Sequence, residues 1–377
     1  MLTPIVRLLL CLLFIASPLN AQSTRLPPDA QRELDEINAP LVEMLNKASF
    51  SGSVGIRKGN VSTFWNYPRA KAGHDDDGHN ADLWRWASVT KQVVAVLVLQ
   101  EVAKGRIDLD QPISKYLPKF ASANAGKISV RQLLRHQSGL PNPDDVQASS
   151  EAMSAYYMPF YKGSRDPLTG YCAGTPKSEP GGNWTYNNCD YIVAGALLEA
   201  VTGKKWQKLV AERIAKPLGL KTLSTYPTGK VTRTGLFGGK PEPKLELAAF
   251  ASSGGLYGSL EDLLKFDKAL MSGELLAQNE LNALWDGQAD LGYMALGQWV
   301  FDAGLKDCTT PVKLVERRGS IGGVQVRNFI APERQMAIAI FTDKSESDFE
   351  FGEIWQGSGF SHDVLNFALC STLEAPK

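Results

Sequence analysis

Segments patterned for β-strands lie towards both ends of this chain, and a long block patterned for helices lies between them. Phe50 to Tyr67 reads as two short strands around a Lys58-Gly59-Asn60 turn. Strand patterns return only after residue 290, at Tyr293–Phe301, Val312–Arg318, Gly323–Ile330 and Met336–Thr342, and a last helix spans roughly His362–Leu373. Residues 28–47 read as a helix that Pro40 kinks or splits. The economical architecture is one antiparallel sheet built from both ends, flanked by the terminal helices, with the helical block inserted as a second lobe. This predicts an α/β chain of the α+β type. The sheet lobe covers roughly 28–85 and 270–377, the helical lobe roughly 86–269, and a cleft between them is the natural site. Residues 22–377 form a single domain on this reading, and 44% apolar residues supply its core.

The first 21 residues read as a secretory signal. Arg7 precedes the apolar run Leu8–Ala16, and Ala21 offers a small residue before Gln22. The run is about half the length a membrane span needs, and no later segment is long enough. The predicted location is therefore exported, periplasmic or secreted, with no transmembrane span after signal removal. Cys11 would leave with the signal. Cys172, Cys189, Cys308 and Cys370 remain, an even number that suits two disulfides in an oxidising compartment. Three connectivities are open; Cys172–Cys189 and Cys308–Cys370 are favoured because each pair shares a region of the chain. Free buried thiols are the alternative, and the spacing is not that of a zinc site. Basic and acidic residues number 40 each, which argues against a nucleic-acid-binding surface.

Ser88-Val-Thr-Lys91 opens a helix that is apolar nearly all round and ends near Gly105. A serine at a helix start lies near unpaired N–H groups, where the helix dipole favours developing negative charge. Lys91 lies one turn on, on the same face. An ammonium in a dry site loses its proton more readily and can then take one from serine. The plain alternative is an N-cap serine followed by a solvent-facing lysine. Tyr186-Asn187-Asn188 follows a Pro180-Gly-Gly turn and precedes a helix from Asp190 to Thr202, stopped by Gly203. A phenolate beside a lysine can serve as general base, and an asparagine can orient lysine and substrate. Alone, Tyr186 reads equally as a packed turn residue.

Together these elements resemble the class C β-lactamase-like, penicillin-recognising serine hydrolases, from about residue 50 to the C-terminus. Trp86-Ala-Ser-Val-Thr-Lys-Gln92 is similar to the family's nucleophile motif, and Pro180–Asn188 to its tyrosine motif. The stretches Ile107–Leu117, Ile128–Pro141, Pro217–Leu220 and Ser253–Leu263 follow in the family's order. The resemblance implies a β-lactamase/transpeptidase-like fold with Ser88 as nucleophile, Lys91 as its activating partner, Tyr186 as general base and Asn188 as orienting residue. The family's third motif is a Lys or His, one residue, then Gly. Here it reads Arg317-Arg318-Gly319, followed by Ser320. Arginine can clamp a substrate carboxylate with two parallel hydrogen bonds but does not readily shuttle a proton. Gly319 allows close approach of substrate, and the backbone N–H groups of Ser320 and Ser88 form the oxyanion hole by resemblance.

The expected function is hydrolysis of an amide or ester through an acyl-enzyme on Ser88. The substrate is a small molecule or peptide, able to carry a carboxylate: a β-lactam, a D-alanyl peptide or a small ester. No cofactor is expected, and the oligomeric state stays open. The alternative is a decayed, penicillin-binding-like protein that binds cell-wall fragments or a protein partner. A metal hydrolase using His74-Asp-Asp-Asp-Gly-His79 is a third reading, which a solvated loop explains better. His136 reads as structural. Trp84, Trp86 and Trp184 wall the cleft or pack the core. No Gly-x-Ser-x-Gly elbow and no phosphate loop occur.

Overall fold

A computed structural model describes residues 39–67, 82–147, 153–226 and 232–370. The signal segment, the start of the 28–47 helix and the His74–His79 loop lie outside the described residues. The chain divides into Met1–Pro40 and Leu41–Lys377, and the second unit holds the strands, the site and both disulfides.

Six strands form one antiparallel sheet. They are β1 (Gly52–Lys58), β2 (Val61–Tyr67), β3 (Trp299–Ala303), β4 (Val312–Ile321), β5 (Val324–Ala331) and β6 (Met336–Thr342), in the order β2-β1-β6-β5-β4-β3. Gly59 and Asn60 turn β1 into β2, Gly59 with φ +57°. β1 then pairs with β6, Gly52 opposite Thr342 and Lys58 opposite Met336, so the two ends of the unit meet at the sheet centre.

Both faces are covered, which is why β5 and β6 are buried along their whole length. Side chains alternate across β6. Ala337, Ala339 and Phe341 face the helical block, while Met336, Ile338 and Ile340 face a second core with Leu41, Leu45, Val364 and Leu365. That second core includes α4 (Phe360–Cys370) and the helical stretch ending at residue 47. On the other face lie α1 (Thr90–Ala103), α2 (Asn188–Thr202) and α3 (Leu260–Met271). Most of α1 is buried on every side, as its apolar run Val93–Leu99 requires. Gly203 ends α2 in the left-handed conformation.

One strand differs from the sequence expectation. The segment expected over Tyr293–Phe301 starts pairing as a strand at Trp299, because Tyr293 (φ +66°) and Gly297 (φ +80°) turn the backbone before it. Disulfides join Cys172 to Cys189 and Cys308 to Cys370, as favoured from the sequence. No helix among the described residues is long and apolar enough to cross a membrane.

Candidate active site

Ser88 is delivered by a tight strand-to-helix corner. Trp84–Arg85 pairs with Leu256–Gly258, and a 3-10 turn, Ala87–Val89, feeds α1. Ala87 takes φ +45°, a conformation that costs an L-residue roughly 1–3 kcal/mol. Ala251, at φ +43°, makes a second such corner just before Ser253. The two corners frame Lys91.

Lys91 has no exposed surface. Its Nζ donates to Asn188 Oδ1 (2.7 Å) and the Ser253 carbonyl (2.8 Å) and lies within hydrogen-bond distance of Ser88 Oγ (3.0 Å) and Tyr186 Oη (2.6 Å). Ser88 Oγ and Tyr186 Oη are 2.5 Å apart. A serine hydroxyl, a phenol and an amine thus form a closed triangle, with an asparagine and a carbonyl holding the amine from behind. Burial, then the charge of Arg317, pushes Lys91 well below the ordinary lysine range, and the carboxylates of Asp144 and Asp190 only partly restore it. Burial raises the Tyr186 phenol, opposed by Arg317 and by the bond to Ser88. Both shifts disfavour the charged forms, and the close contacts link serine, amine and phenol as a path for proton transfer.

The third motif lies alongside. Gly319 on β4 runs so close to the nucleophile that a Cβ there would meet Ser88 N at 2.8 Å and Ala87 Cβ at 2.9 Å. Arg317 is 1% exposed and turned inward. Its Nε donates to the Ser88 carbonyl (2.9 Å) and its Nη2 to Tyr186 Oη (3.3 Å), while the guanidinium lies over the rings of Tyr186 and Trp299. Nη1 has no partner among the described residues. Ser320 joins Ser88, Tyr186, Asn188, Arg317 and Gly319 in the wall of one cavity of about 660 Å³.

Other candidates fall elsewhere. Trp84 and Trp86 are buried in the core, and Trp184 packs edge-on against Trp299. His136 is enclosed, 3.1 Å from Asp190 Oδ2 through Nδ1, and its ring lies 4.9 Å from that of Tyr186. Asn187 N–H donates to the same Nδ1, and burial raises Asp190 well above the usual carboxyl range. This buried pair supports the ring of Tyr186. Among the described residues no three potential metal ligands converge.

Several neighbours of the site escaped sequence reasoning. The Ser253 carbonyl binds Lys91, although the Ser253-Gly-Gly stretch was visible as a motif without a role. Asp144 accepts from Asn188 Nδ2 at 3.0 and 3.1 Å and from Tyr157 Oη at 3.0 Å. The only sequence trace of Asp144 was its position in a Pro-Asn-Pro-Asp turn after residue 140. Trp299 beneath Arg317 left no signal.

Residues 49–357 match the Beta-lactamase family. The D-alanyl-D-alanine-carboxypeptidase/endopeptidase AmpH of Escherichia coli (strain K12) is 24% identical over 233 residues, 59% of this chain and 59% of that protein. Esterase EstB of Burkholderia gladioli is 26% identical over 322 residues, 72% of this chain and 79% of the esterase. The chain spans under two thirds of the length of the carboxypeptidase it matches. Among solved structures, D-amino acid amidase from Ochrobactrum anthropi SV3, complexed with D-phenylalanine, superposes with a TM-score of 0.69 at 20% identity, over 89% of this chain and 98% of the amidase. The β-lactamase/transpeptidase fold is common to both.

Proposed function

The chain belongs to the beta-lactamase family, and we propose that it is an exported serine hydrolase that cleaves an amide or ester through an acyl-enzyme on Ser88. The observation that carries this reading is the fully enclosed Lys91 amine bonded to both Ser88 Oγ and Tyr186 Oη. No purely structural need explains a buried lysine aimed at a serine hydroxyl. In acylation, Ser88 Oγ attacks the carbonyl carbon and its proton passes to Lys91. Tyr186, bonded to both, hands a proton to the leaving nitrogen or oxygen. The N–H groups of Ser88 and Ser320 take the oxyanion, and a water then reverses the sequence to release the acid. Burial and then the fixed positive charge of Arg317 disfavour the protonated form of Lys91. The names of the relatives, a carboxypeptidase and an esterase, support an amide or ester substrate. The signal-like start and the two disulfides support export. The retained Ser88–Lys91–Tyr186 triangle argues against a decayed binder.

The test is the intact mass of the mature protein and of Ser88→Ala after brief exposure to a penicillin, with p-nitrophenyl acetate turnover measured in parallel. An adduct on the native protein alone supports Ser88 as nucleophile and slow, peptidase-like deacylation. Penicillin consumed without an adduct indicates β-lactamase action. Ester turnover lost in Ser88→Ala, with penicillin untouched, leaves an esterase or amidase. Absence of all three sinks the reading.

A further inference from the structure

The cavity wall next to Asn188 carries an acceptor. Asn188 Oδ1 is held by Lys91 Nζ at 2.7 Å, which fixes the side-chain amide and turns its NH2 away from the lysine. Nδ2 is then taken up by Asp144 Oδ1 and Oδ2, at 3.0 and 3.1 Å, and by Tyr157 Oη at 3.0 Å. An amide nitrogen has two hydrogens, so Asn188 has no donor left for a substrate carbonyl. What the wall presents instead is the carboxylate of Asp144, exposed in the turn Pro143–Asp145 and lining the same cavity as Ser88.

Asp144 has only neutral donors: Asn188, Tyr157 and, at 3.5 Å, Asn142 Nδ2. Among the described residues no lysine, arginine or histidine pairs with it, whereas its neighbour Asp145 is paired with Lys177. Of the basic residues nearby, Lys91 is held in its own cage and Arg317 is bonded to Ser88 and Tyr186. Next to the carboxylate the wall becomes apolar, for Tyr157 stacks face to face on Phe250 at 3.9 Å and both line the cavity.

A carboxylate that pairs with no basic side chain among the described residues, lining the nucleophile's cavity next to an aromatic face, suits a cation on an apolar acyl group. Resting on the acyl-enzyme reading above, we infer that Asp144 is a specificity-determining residue that binds a free ammonium adjacent to the scissile carbonyl. The preferred substrates are amides or esters of amino acids with an unblocked amine and an apolar side chain, rather than N-acylated compounds. The chemistry balances as ordinary acyl transfer. Ser88 Oγ bonds to the aminoacyl carbon, the C–N or C–O bond breaks, and the serine proton leaves with the amine or alcohol. Water then cleaves the ester to the free amino acid and restores Ser88. The ammonium takes no part beyond its pairing with Asp144.

The experiment compares kcat/KM for phenylalanine amide, in each configuration, with that for its N-acetyl derivative, in the native protein and in Asp144→Asn. The isosteric asparagine keeps an oxygen for Asn188. The native protein is expected to favour the free amine by about tenfold or more, and Asp144→Asn to lose most of that ratio, chiefly through KM. Asp144→Glu restores part of it. A role confined to orienting Asn188 lowers both substrates alike and leaves the ratio unmoved, which overturns the inference. Equal or better turnover of the N-acetyl amide does the same. If p-nitrophenyl acetate is hydrolysed through Ser88 but neither amide is, the amine site is refuted while the nucleophile stands. If Ser88 reacts with nothing, both readings fall.

Discussion

Replacing Arg317 by Met keeps an apolar stem between Trp299 and Tyr186 and removes the charge together with the hydrogen bonds to the Ser88 carbonyl and Tyr186 Oη. The contacts of Arg317 Nη2 and Lys91 Nζ to the same phenol oxygen are 3.3 and 2.6 Å, which bounds the distance between the two cations. At about 6 Å, two unit charges repel by roughly 3 kcal/mol in a medium of effective dielectric about 20. That is on the order of a hundredfold in the balance between ammonium and amine. Burial, the larger cause of the lowered lysine, is unchanged by the substitution. Arg317 favours the neutral amine, so its loss favours the protonated form, and a higher pH is needed to free the base. The assay is the pH profile of kcat/KM for p-nitrophenyl acetate in native, Arg317→Met and Arg317→Lys proteins. Arg317→Met should show its acid limb moved towards alkaline pH, a large deficit at neutral pH and recovery as pH rises. Arg317→Lys should keep most of the native profile. A deficit of the same factor at every pH, with the limb unmoved, refutes the electrostatic role and leaves Arg317 as a packing residue.

Gly319→Ala drives a Cβ to 2.8 Å from Ser88 N and 2.7 Å from Val326 Cγ1. Because the nucleophile must shift, kcat for the ester should fall on the order of a hundredfold while the circular dichroism spectrum stays native. Removing the Cys172–Cys189 disulfide, which spans a sequence separation of 17, should cost about 3 kcal/mol in urea unfolding. Asp267 is buried, accepts from Asn328 at 2.9 Å, and is pushed up to about 8 by burial. Its native pKa lies above the unfolded value of about 4, so its contribution is full below about pH 4 and is lost as pH rises towards about 8. Asp267→Asn should flatten that decline, as read from urea midpoints at the two ends of the window.

The parts of this molecule legible in the sequence are those decided locally. Lys58-Gly59-Asn60 is turn chemistry between alternating residues, and Gly203 can end a helix where a residue with a Cβ is strained. Ser88 and Lys91 share a helical face whatever surrounds them. Illegible were features set by distant neighbours. The left-handed backbone at Ala87 and Ala251 comes from corners that the packing of α1 against Leu256–Gly258 imposes, and alanine gives no hint of it. Tyr293 looked like a strand residue because aromatic side chains suit pleated surfaces; the neighbouring glycines determine the turn instead. Asp144 meets Asn188 from 44 positions away, and nothing local distinguishes it from any other solvated turn aspartate. Arg317 was read as a residue for the substrate, yet two of its donors serve Ser88 and Tyr186.

The pairing of β1 with β6 also governs when this protein can become itself. β1 and β2 form a hairpin early, but β1 has no second neighbour until the last strand of the sheet exists. Closing the chain from Lys58 to Met336 costs entropy on the order of 5 kcal/mol before the first bond of that ladder repays any of it. Until then β1 is an open edge, able to pair with another chain. Refolding should accordingly be slow and concentration-sensitive, with the helical block ordering ahead of the sheet. A chain released before residue 336 would carry Ser88, Lys91 and β4 yet lack the strand that joins β1 to the rest of the sheet.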